Sequence, residues 1–402
     1  MAFSKSFIPY GCYWSTPFVR WQGTIAHLHP MRFCAEIAVG ALKEKDISPE
    51  VFDALVLGTT VPSKHCFYGA PWMAGMIGAV GATGPMIGQA CATSAKCVET
   101  AAREIEGGDT SVSLVVTCDK CSNGPHIYYP NPLGPGGTGD REDWVWDNFS
   151  HDPFAKNAML ETAENVAREE NITKEEQDDL TVVRYNQYQK ALENEREFQK
   201  KYMVAPIEVK DNSGRKVIGR LEGDEGVFPT NMEGLAKLRP VFKDKGTVSY
   251  GTQTFPADGN ACMVLATRDK AQELSKNKDI AIQVLSYAQA RAKKGFMAKA
   301  IVPAARRALE IAGVGIKDMK AIKAHTPFAV NDVYFCREFD LKFEGMNNYG
   351  CSLIYGHPQG PTGLRTMIEL IEELVLLGGG YGLFDGCAAG DTGAAVVLKV
   401  DV

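Results

Sequence analysis

The feature that most constrains this fold is an alternation of helical and strand-like patterns at both ends of the chain. In the first part, an amphipathic helix pattern at 33–48 precedes an apolar run at 54–57, and a helix after Cys91 precedes a run at 112–117. The pattern returns near the other end, with apolar runs at 257–266, 280–287, 319–324, 381–387 and 394–400 and helices after Pro303 and over 362–377. Such alternation predicts an α/β sheet with helices on both faces.

The middle of the chain, from residue 119 to about residue 250, does not follow this alternation. It has Gly- and Pro-rich stretches at 123–125 and 131–139, aromatic residues at Trp144, Trp146 and Phe149, and charged helix patterns over 158–170 and 174–195. Thr173 and Glu176 have capping-box spacing. We therefore predict a mostly helical loop domain at 119–250, inserted between two similar α/β halves that pack together. The first half is 1–118 with 251–270, and the second is 271–402.

Composition excludes several classes of function. The net charge of −6 argues against nucleic acid as a partner. No stretch reaches about 18 apolar residues and the first residues lack the apolar run of a signal peptide, so we expect a cytoplasmic protein without a membrane partner. Eleven cysteines in 402 residues indicate reduced thiols. Cys118 and Cys121 lack a second pair at metal spacing, so we expect a structural role and no bound metal.

Cys91 lies where a short apolar run meets a helix with small side chains. The stretch reads Gln-Ala-Cys-Ala-Thr-Ser-Ala-Lys-Cys over 89–97, and the helix pattern ends at Gly107 and Gly108. Unpaired N–H groups and the dipole at a helix start favour a thiolate, whereas burial opposes it. Taken alone, such a cysteine is more often a small core residue. With the stretches below, it becomes our candidate nucleophile.

Three further stretches place reactive residues where a strand gives way to a loop. They contain His325 within Ala-His-Thr-Pro-Phe-Ala, His357 within Tyr-Gly-His-Pro-Gln-Gly-Pro-Thr-Gly, and Cys387 within Asp-Gly-Cys-Ala-Ala-Gly. Such loops carry function in α/β sheets. Singly each signal is weak, because a lone histidine in a loop is more often structural and a cysteine beside glycine is usually a packing residue.

Together, the four stretches resemble the thiolase superfamily, in which a cysteine at a helix start, an Asn-Glu-Ala-Phe-like motif, a Gly-His-Pro motif and a Cys-x-Gly motif form one site. The resemblance covers most of the chain except about the first thirty residues and 119–150. It implies a thiolase-like fold and acyl transfer from a 3-ketoacyl-CoA. Cys91 would carry the acyl group, His357 would take its proton, and Cys387 would be the acid and base at carbon. His325 and His357 would be the donors to the enolate oxygen.

The resemblance also implies that coenzyme A is a cosubstrate and that no cofactor is permanently bound. The matching CoA and acyl contacts are Met159, Thr254, Met297, Phe328 and Ala389. In addition, the N–H groups of Cys91 and of a residue near Ala389 would hold the oxyanion. The chain departs from the family pattern at three positions: His325 replaces the usual asparagine as in the sterol-carrier type, Ala389 replaces a glycine, and Ala158 replaces a histidine of short-chain members.

Two other functions fit parts of this pattern: a condensing enzyme of the ketoacyl synthase type, and a catalytically silent thiolase-like subunit of a complex. Cys387 argues against the first, and the full set of four reactive residues argues against the second. The space left by Ala158 indicates a bulky, aromatic or branched acyl group. A looser overall similarity to the thiolase subunits of benzoylsuccinyl-CoA thiolases, from anaerobic toluene degradation, implies that substrate and a small zinc-binding partner with an OB fold. The family also implies a homodimer or higher oligomer.

Overall fold

The structure is a computed structural model that describes residues 1–122, 124–242 and 246–402. Residue 123, in a predicted Gly- and Pro-rich stretch, and residues 243–245, within the predicted loop domain, lie outside the described residues. The predicted limits of the three domains stay predictions. Within the described ranges, no helix is both long and apolar enough to cross a membrane.

The described residues form fifteen strands and twelve α-helices. The strands are β1 (Phe7–Ile8), β2 (Tyr13–Ser15), β3 (Val19–Arg20), β4 (Ala54–Gly58), β5 (Met86–Ile87), β6 (Val112–Lys120), β7 (His126–Tyr129), β8 (Asp140–Asp143), β9 (Ile207–Lys210), β10 (Val217–Leu221), β11 (Ala257–Ala266), β12 (Ala281–Arg291), β13 (Met319–His325), β14 (Gly380–Ala388) and β15 (Thr392–Asp401). The helices are α1 (Pro30–Glu44), α2 (Gly69–Ile77), α3 (Thr93–Gly107), α4 (Trp146–Ser150), α5 (Met159–Glu169), α6 (Lys174–Lys200), α7 (Met232–Lys237), α8 (Arg268–Leu274), α9 (Ile301–Ala312), α10 (Ala329–Phe339), α11 (Ser352–Tyr355) and α12 (Gln359–Leu376).

Eleven of these strands join in one sheet, which confirms the predicted α/β class. Its order is β13-β14-β15-β12-β1-β11-β6-β4-β5, and β2 and β3 also pair with β11. The two ends follow the same scheme: β4 pairs parallel with β6 and β6 antiparallel with β11, just as β13 pairs parallel with β14 and β14 antiparallel with β15. This repeated pattern is what the alternation at the two ends of the sequence predicts.

The strand expected to run up to Cys91 is shorter than predicted. β5 ends at Ile87, and the chain then turns through Ala90, whose φ is +43°. The Thr93 hydroxyl closes this turn, because it accepts from the N–H of Gln89 at 2.8 Å and donates to the carbonyl of Ala90 at 2.7 Å. A left-handed alanine is uncommon and costs on the order of 1 kcal/mol. Cys91 therefore lies in a tight turn ahead of α3, and not at the end of a strand.

Helices α3 and α12 lie in the interior and contact each other. Helix α12 contacts β13 and β14 of one half and β6 and β11 of the other. A Cβ on Gly363 would lie 3.0 Å from the Cβ of Ser94, so the absence of a side chain there lets the two helices approach closely. The Ser94 hydroxyl donates to the carbonyl of Gly360 and fixes the two helix starts side by side. Cys91 precedes one start and His357 precedes the other.

The region between β6 and β11 contains α4 to α7 and the hairpins β7–β8 and β9–β10. The predicted capping box at Thr173 is present, although residues 193–196 of α6 leave the helical conformation. Two buried ion pairs connect this region to the core: Asp224 accepts two hydrogen bonds from Arg365 on α12, at 2.6 and 2.8 Å, and Arg184 donates to Asp332 on α10 at 2.8 Å. These pairs hold the loop region against the elements that carry the site.

Candidate active site

Cys91 and His357 form the central pair of the site. The Nε2 atom of His357 lies 3.1 Å from the Sγ atom of Cys91. On the other side of the ring, Nδ1 lies 2.7 Å from the hydroxyl of Thr362, and that hydroxyl donates its own proton to the carbonyl of Pro358 at 2.6 Å. The hydroxyl can therefore only accept from His357, which places the ring proton on Nδ1. The lone pair on Nε2 faces the thiol, as a general base requires.

Burial keeps both members of this pair neutral at rest. It raises the pKa of Cys91 to about 12, although the backbone N–H groups of Ala389 and Cys91 act in the opposite direction. Burial, with the neighbouring His325, lowers the pKa of His357 well below its usual value. Helix α3 begins at Thr93, two residues after Cys91. The sequence predicted two opposing influences on this thiol, the helix start and burial, and burial is the larger one here.

His325 lies against the imidazole of His357. The two rings stack with their centroids 3.9 Å apart and an interplanar angle of 29°. The Nδ1 atom of His325 lies 2.8 Å from the Ser352 hydroxyl, whereas Nε2 has no hydrogen-bond partner among the described residues. Burial lowers the pKa of His325 to about 3. A neutral ring with one buried, unpartnered nitrogen is suited to receive a polar atom of a substrate.

Cys387 completes the group of four predicted residues. It is the second-to-last residue of β14, close to the strand end predicted from the sequence, and is fully buried. Burial raises the pKa of the thiol well above its usual value, and the negative charge that Cys91 can carry acts in the same direction. The Nδ2 atom of Asn331 donates to its sulfur at 3.2 Å. Cys387 therefore rests as a thiol with a proton to give.

Cys91, His325 and His357 also place one potential metal-ligand atom each within 4.8 Å of the others. A shared ion needs lone pairs that converge on one point. The stacked imidazoles direct their nitrogen lone pairs along nearly parallel planes, which disfavours such convergence. The arrangement is better suited to proton transfer than to metal binding. Cys118 and Cys121, the other pair considered from the sequence, are both buried and free thiols.

The neutral state of His357 leads to a prediction for the pH dependence of acylation. Because its folded pKa is lowered, the imidazole stays unprotonated well below the usual value of about 6.5. We expect the single-turnover rate of Cys91 acylation to change less than about twofold between about pH 7.5 and about pH 5.5. An unshifted histidine would lose roughly tenfold over that range. Rapid-quench measurement of the acyl-enzyme would test this, and a tenfold fall following one proton near pH 6.5 would contradict it.

An open cavity of about 400 Å³ lies next to the turn that carries Cys91, although Cys91 itself is not one of its lining residues. Its wall includes the neighbours of the thiol, Ala90 and Ala389, together with Met159 at the start of α5. The rest of the wall consists of Thr59, Thr60, Val61, Pro62, Cys66, Met86, Ile87, Gly88, Trp144, Val145, Asn148, Phe149 and Gln359. No charged side chain occurs among these described lining residues. The cavity therefore suits an uncharged, largely apolar group attached to the Cys91 sulfur.

The other predicted CoA contacts lie elsewhere. Met297 and Phe328 are buried in the core of the second half. Thr254 donates its hydroxyl proton to the carbonyl of Ser352 at 2.5 Å, so this hydroxyl already has an acceptor. Of the five predicted contacts, Met159 and Ala389 line the cavity and these three do not. Their roles with CoA stay predictions.

Sequence reasoning did not find the residues that orient the two histidines. Thr362 follows His357 by five residues, within the stretch singled out for its Gly-His-Pro motif, but its hydroxyl had no assigned role. Ser352 lies 27 residues after His325, and no spacing rule connects the two. Asp119 was also missed: its carboxylate accepts from the N–H groups of Thr60, at 2.7 Å, and of Gly360, at 2.6 Å. It joins the cavity wall to the start of α12.

Comparison with known proteins places this geometry in a family. The model of the thiolase N-terminal domain matches residues 14–269, and that of the thiolase C-terminal domain matches residues 278–400. The chain belongs to the thiolase family. Mitochondrial 3-ketoacyl-CoA thiolase of Homo sapiens is 28% identical over 389 residues, which cover 96% of each chain. An acetyl-CoA acetyltransferase of Syntrophomonas wolfei is 28% identical over 399 residues, again 96% of each.

Solved structures agree with this assignment. Human mitochondrial 3-ketoacyl-CoA thiolase in complex with CoA aligns with a TM-score of 0.89 at 27% identity, over 99% of both chains. An acetyl-CoA acetyltransferase of Bacillus anthracis gives the same TM-score, identity and coverage. The predicted thiolase fold is therefore confirmed. The protein is an acyltransferase of the thiolase type, an enzyme class that uses CoA as a substrate.

Proposed function

We propose that this thiolase cleaves a 3-ketoacyl-CoA with a second molecule of CoA, through an acyl group carried on Cys91. The observation that carries the proposal is the 3.1 Å contact between the Cys91 sulfur and a His357 nitrogen whose lone pair is fixed by Thr362. The chemistry is reversible, so the same residues would catalyse Claisen condensation in the other direction.

The cleavage half begins with proton transfer from Cys91 to His357 as the sulfur attacks the 3-keto carbon. The N–H groups of Cys91 and Ala389, which already approach the thiol sulfur, would stabilise the tetrahedral oxyanion. The bond between C2 and C3 then breaks, and its electron pair forms an enolate at C2. Cys387 donates its proton to C2, and the shortened acyl-CoA leaves. The acyl group remains on Cys91 as a thioester.

In the second half-reaction, Cys387 and Cys91 regain their protons. The thiol of an incoming CoA gives its proton to the Cys387 thiolate and attacks the thioester carbon. The bond to Cys91 breaks, and the protonated His357 returns its proton to the departing sulfur. Splitting the reaction into two thioester exchanges lowers each barrier, which is the advantage of a covalent nucleophile.

His325 would act as the hydrogen-bond donor to the enolate oxygen. The Ser352 oxygen accepts from the N–H of Thr326 at 3.1 Å, and its own proton has no acceptor other than His325 Nδ1 in the described part of the chain. That arrangement places the ring proton of His325 on Nε2, the unpartnered nitrogen. A neutral donor in a dry site stabilises a developing oxyanion without reorganisation. Histidine can therefore serve as the neutral donor at the position that asparagine occupies in most thiolases.

We further propose that the acyl group is bulky and aromatic, as in benzoylsuccinyl-CoA. The cavity beside Cys91 is uncharged, and Trp144, Val145 and Phe149 form part of its wall. Ala158, just before Met159, adds no bulk at the start of α5. An uncharged benzoyl group would match this wall, whereas the carboxylate of the substrate belongs to the departing half and stays outside the cavity.

The aromatic wall gives a prediction for substrate preference. Phe149→Ala removes a ring from the cavity, so we expect kcat/KM for a benzoyl-bearing ketoacyl-CoA to fall about 10–100-fold, the effect of losing about 1–3 kcal/mol of pocket contact. The value for acetoacetyl-CoA should change less than about threefold. Trp146→Ala is the matched control, because Trp146 lies in the same helix, is 59% exposed and does not line the cavity. Equal losses with both substrates would contradict an aromatic acyl site.

The two alternative functions are less well supported. A condensing enzyme of the ketoacyl synthase type gives no role to Cys387, which here lies buried beside the other three reactive residues. A silent subunit gives no reason for the hydrogen bonds that fix the His357 tautomer. Relatives over the whole length are thiolases and acetyl-CoA acetyltransferases by name.

We also propose a homodimer that forms at the β5 edge of the sheet. Within the described residues the sheet ends at this strand, and large apolar side chains are exposed nearby at Phe67, Tyr68 and Met86. Unpaired edge strands and exposed apolar patches are typical of association surfaces. The small zinc-binding partner with an OB fold and the cytoplasmic location stay predictions.

A further inference from the structure

The mechanism above gives no role to Asn331, although this residue contacts one of the reacting sulfurs. Asn331 is the third residue of α10 and is fully buried. Its Nδ2 atom donates to the Sγ atom of Cys387 at 3.2 Å, whereas its Oδ1 atom has no partner within the described ranges. A buried amide that leaves one of its polar atoms unpaired is costly, so this contact calls for an explanation beyond packing.

Two groups near Cys387, Asp385 and Cys91, oppose a negative charge on its sulfur. Asp385 precedes Cys387 by two residues on the same face of β14, and neither of its carboxylate oxygens has a partner in the part of the chain that the structure describes. Burial, together with the charge of Asp332, raises the pKa of Asp385 well above its usual value. Asp332 is itself paired with Arg184. Cys91 lies on the remaining side, and any charge on it would also repel a thiolate.

Asn331, in contrast, favours a negative charge on the Cys387 sulfur. Its N–H is the side-chain contact that lowers the pKa of Cys387, against the larger effect of burial. When the Cys387 S–H bond breaks and the proton moves to C2, the electron pair stays on sulfur until the CoA thiol returns a proton. During that interval an unscreened thiolate lies in an apolar environment. Hydrogen bonds to a charged acceptor are roughly twice as strong as neutral ones, so the Asn331 contact strengthens as the charge develops.

We propose that Asn331 is a positioning residue for Cys387, which orients the sulfur toward C2 and stabilises the thiolate formed by proton transfer. This inference rests on the proposed function, because it assumes that Cys387 exchanges the proton at C2. It assigns a role to a residue outside the four reactive ones.

The test compares the two half-reactions in Asn331→Ala and Asn331→Ser. One assay follows acylation of Cys91 by acetyl-CoA, and the other follows solvent deuterium exchange at the α-carbon of acetyl-CoA. For Asn331→Ala we expect exchange to fall about 10–100-fold while acylation stays within about twofold. The pH at which the exchange rate reaches its plateau should rise, because the Cys387 thiolate has lost a hydrogen-bond donor. Asn331→Ser keeps a hydroxyl donor and should recover part of the exchange rate.

Two results would overturn the proposal: wild-type exchange in a folded Asn331→Ala protein, or equal losses in both half-reactions, which would show a structural role. Circular dichroism identifies variants that do not fold; if Asn331→Ala does not fold, Asn331→Leu, which keeps most of the side-chain volume but has no donor, carries the test with the same expected results. Cys387→Ala separates this inference from the proposed function. If Cys387→Ala keeps the exchange, the assignment of Cys387 itself fails. If it loses exchange while the Asn331 variants keep it, only the role of Asn331 fails.

Discussion

Cys91→Ser is expected to abolish acyl-enzyme formation. The rate of thiolysis should fall by up to about 10⁶-fold, the loss that removal of a catalytic nucleophile causes. Serine preserves the shape of the turn between Ala90 and α3, so the protein should fold normally. Its hydroxyl is a far weaker nucleophile than the sulfur, and the neutral His357 is too weak a base to ionise it appreciably. Steady-state thiolysis and intact-protein mass after incubation with acyl-CoA measure the two effects.

Cys97→Ala is the matched control for this substitution. Cys97 lies in the helix that follows Cys91, α3, but is fully buried, and its sulfur packs close to Gly58. It makes no contact with His357, so its replacement should cost packing only and leave turnover within about twofold. Normal turnover in Cys91→Ser, or a loss in Cys97→Ala as large as that expected for Cys91→Ser, would contradict the assignment of the nucleophile.

Cys387→Ala should separate the two halves of the reaction. Acylation of Cys91 by a simple acyl-CoA needs only His357 and the oxyanion donors, so it should proceed at close to the wild-type rate. The carbon–carbon step lacks its acid and base, and we expect a loss of about 10²–10⁴-fold, equivalent to about 3–5 kcal/mol of barrier. Because Cys387 is fully buried, the alanine variant removes one sulfur and creates only a small cavity.

Deuterium exchange into the α-carbon of the acyl-CoA product gives a direct measure of this acid and base function. In Cys387→Ala it should fall in parallel with cleavage, whereas acylation of Cys91 continues. Exchange at the wild-type rate would show that another group removes the proton and that Cys387 is a buried structural thiol. A condensing enzyme of the ketoacyl synthase type predicts that second result.

The part of the site carried by sequence motifs was predictable. Cys91, His357, His325 and Cys387 each occur in a short stretch with a strand or turn before it, and the structure brings all four together. The α/β alternation also predicted the repeated order of strands. Local periodicity determines which segments become strands and which become helices. What these signals do not contain is the distance between segments that lie 266 residues apart, such as Cys91 and His357.

The remaining features depend on tertiary contacts. Thr93 closes the turn before α3 and shortens the predicted strand, an effect that apolar patterning does not reveal. Burial decides the protonation of Cys91, and the sequence gives no measure of burial at a turn. The cavity wall at Trp144 and Phe149 comes from the segment that matched the family least well, so its place beside the site was visible only in the structure.

The most direct test of the acyl-Cys91 mechanism is to locate the covalent intermediate. The protein would be incubated with benzoyl-CoA, quenched with acid and digested, and the peptides analysed by mass spectrometry. We expect one benzoyl group per chain on the peptide that contains Cys91, its removal by added CoA, and no label in Cys91→Ser. Label on another cysteine, or label that CoA does not remove, would contradict an acyl-Cys91 mechanism.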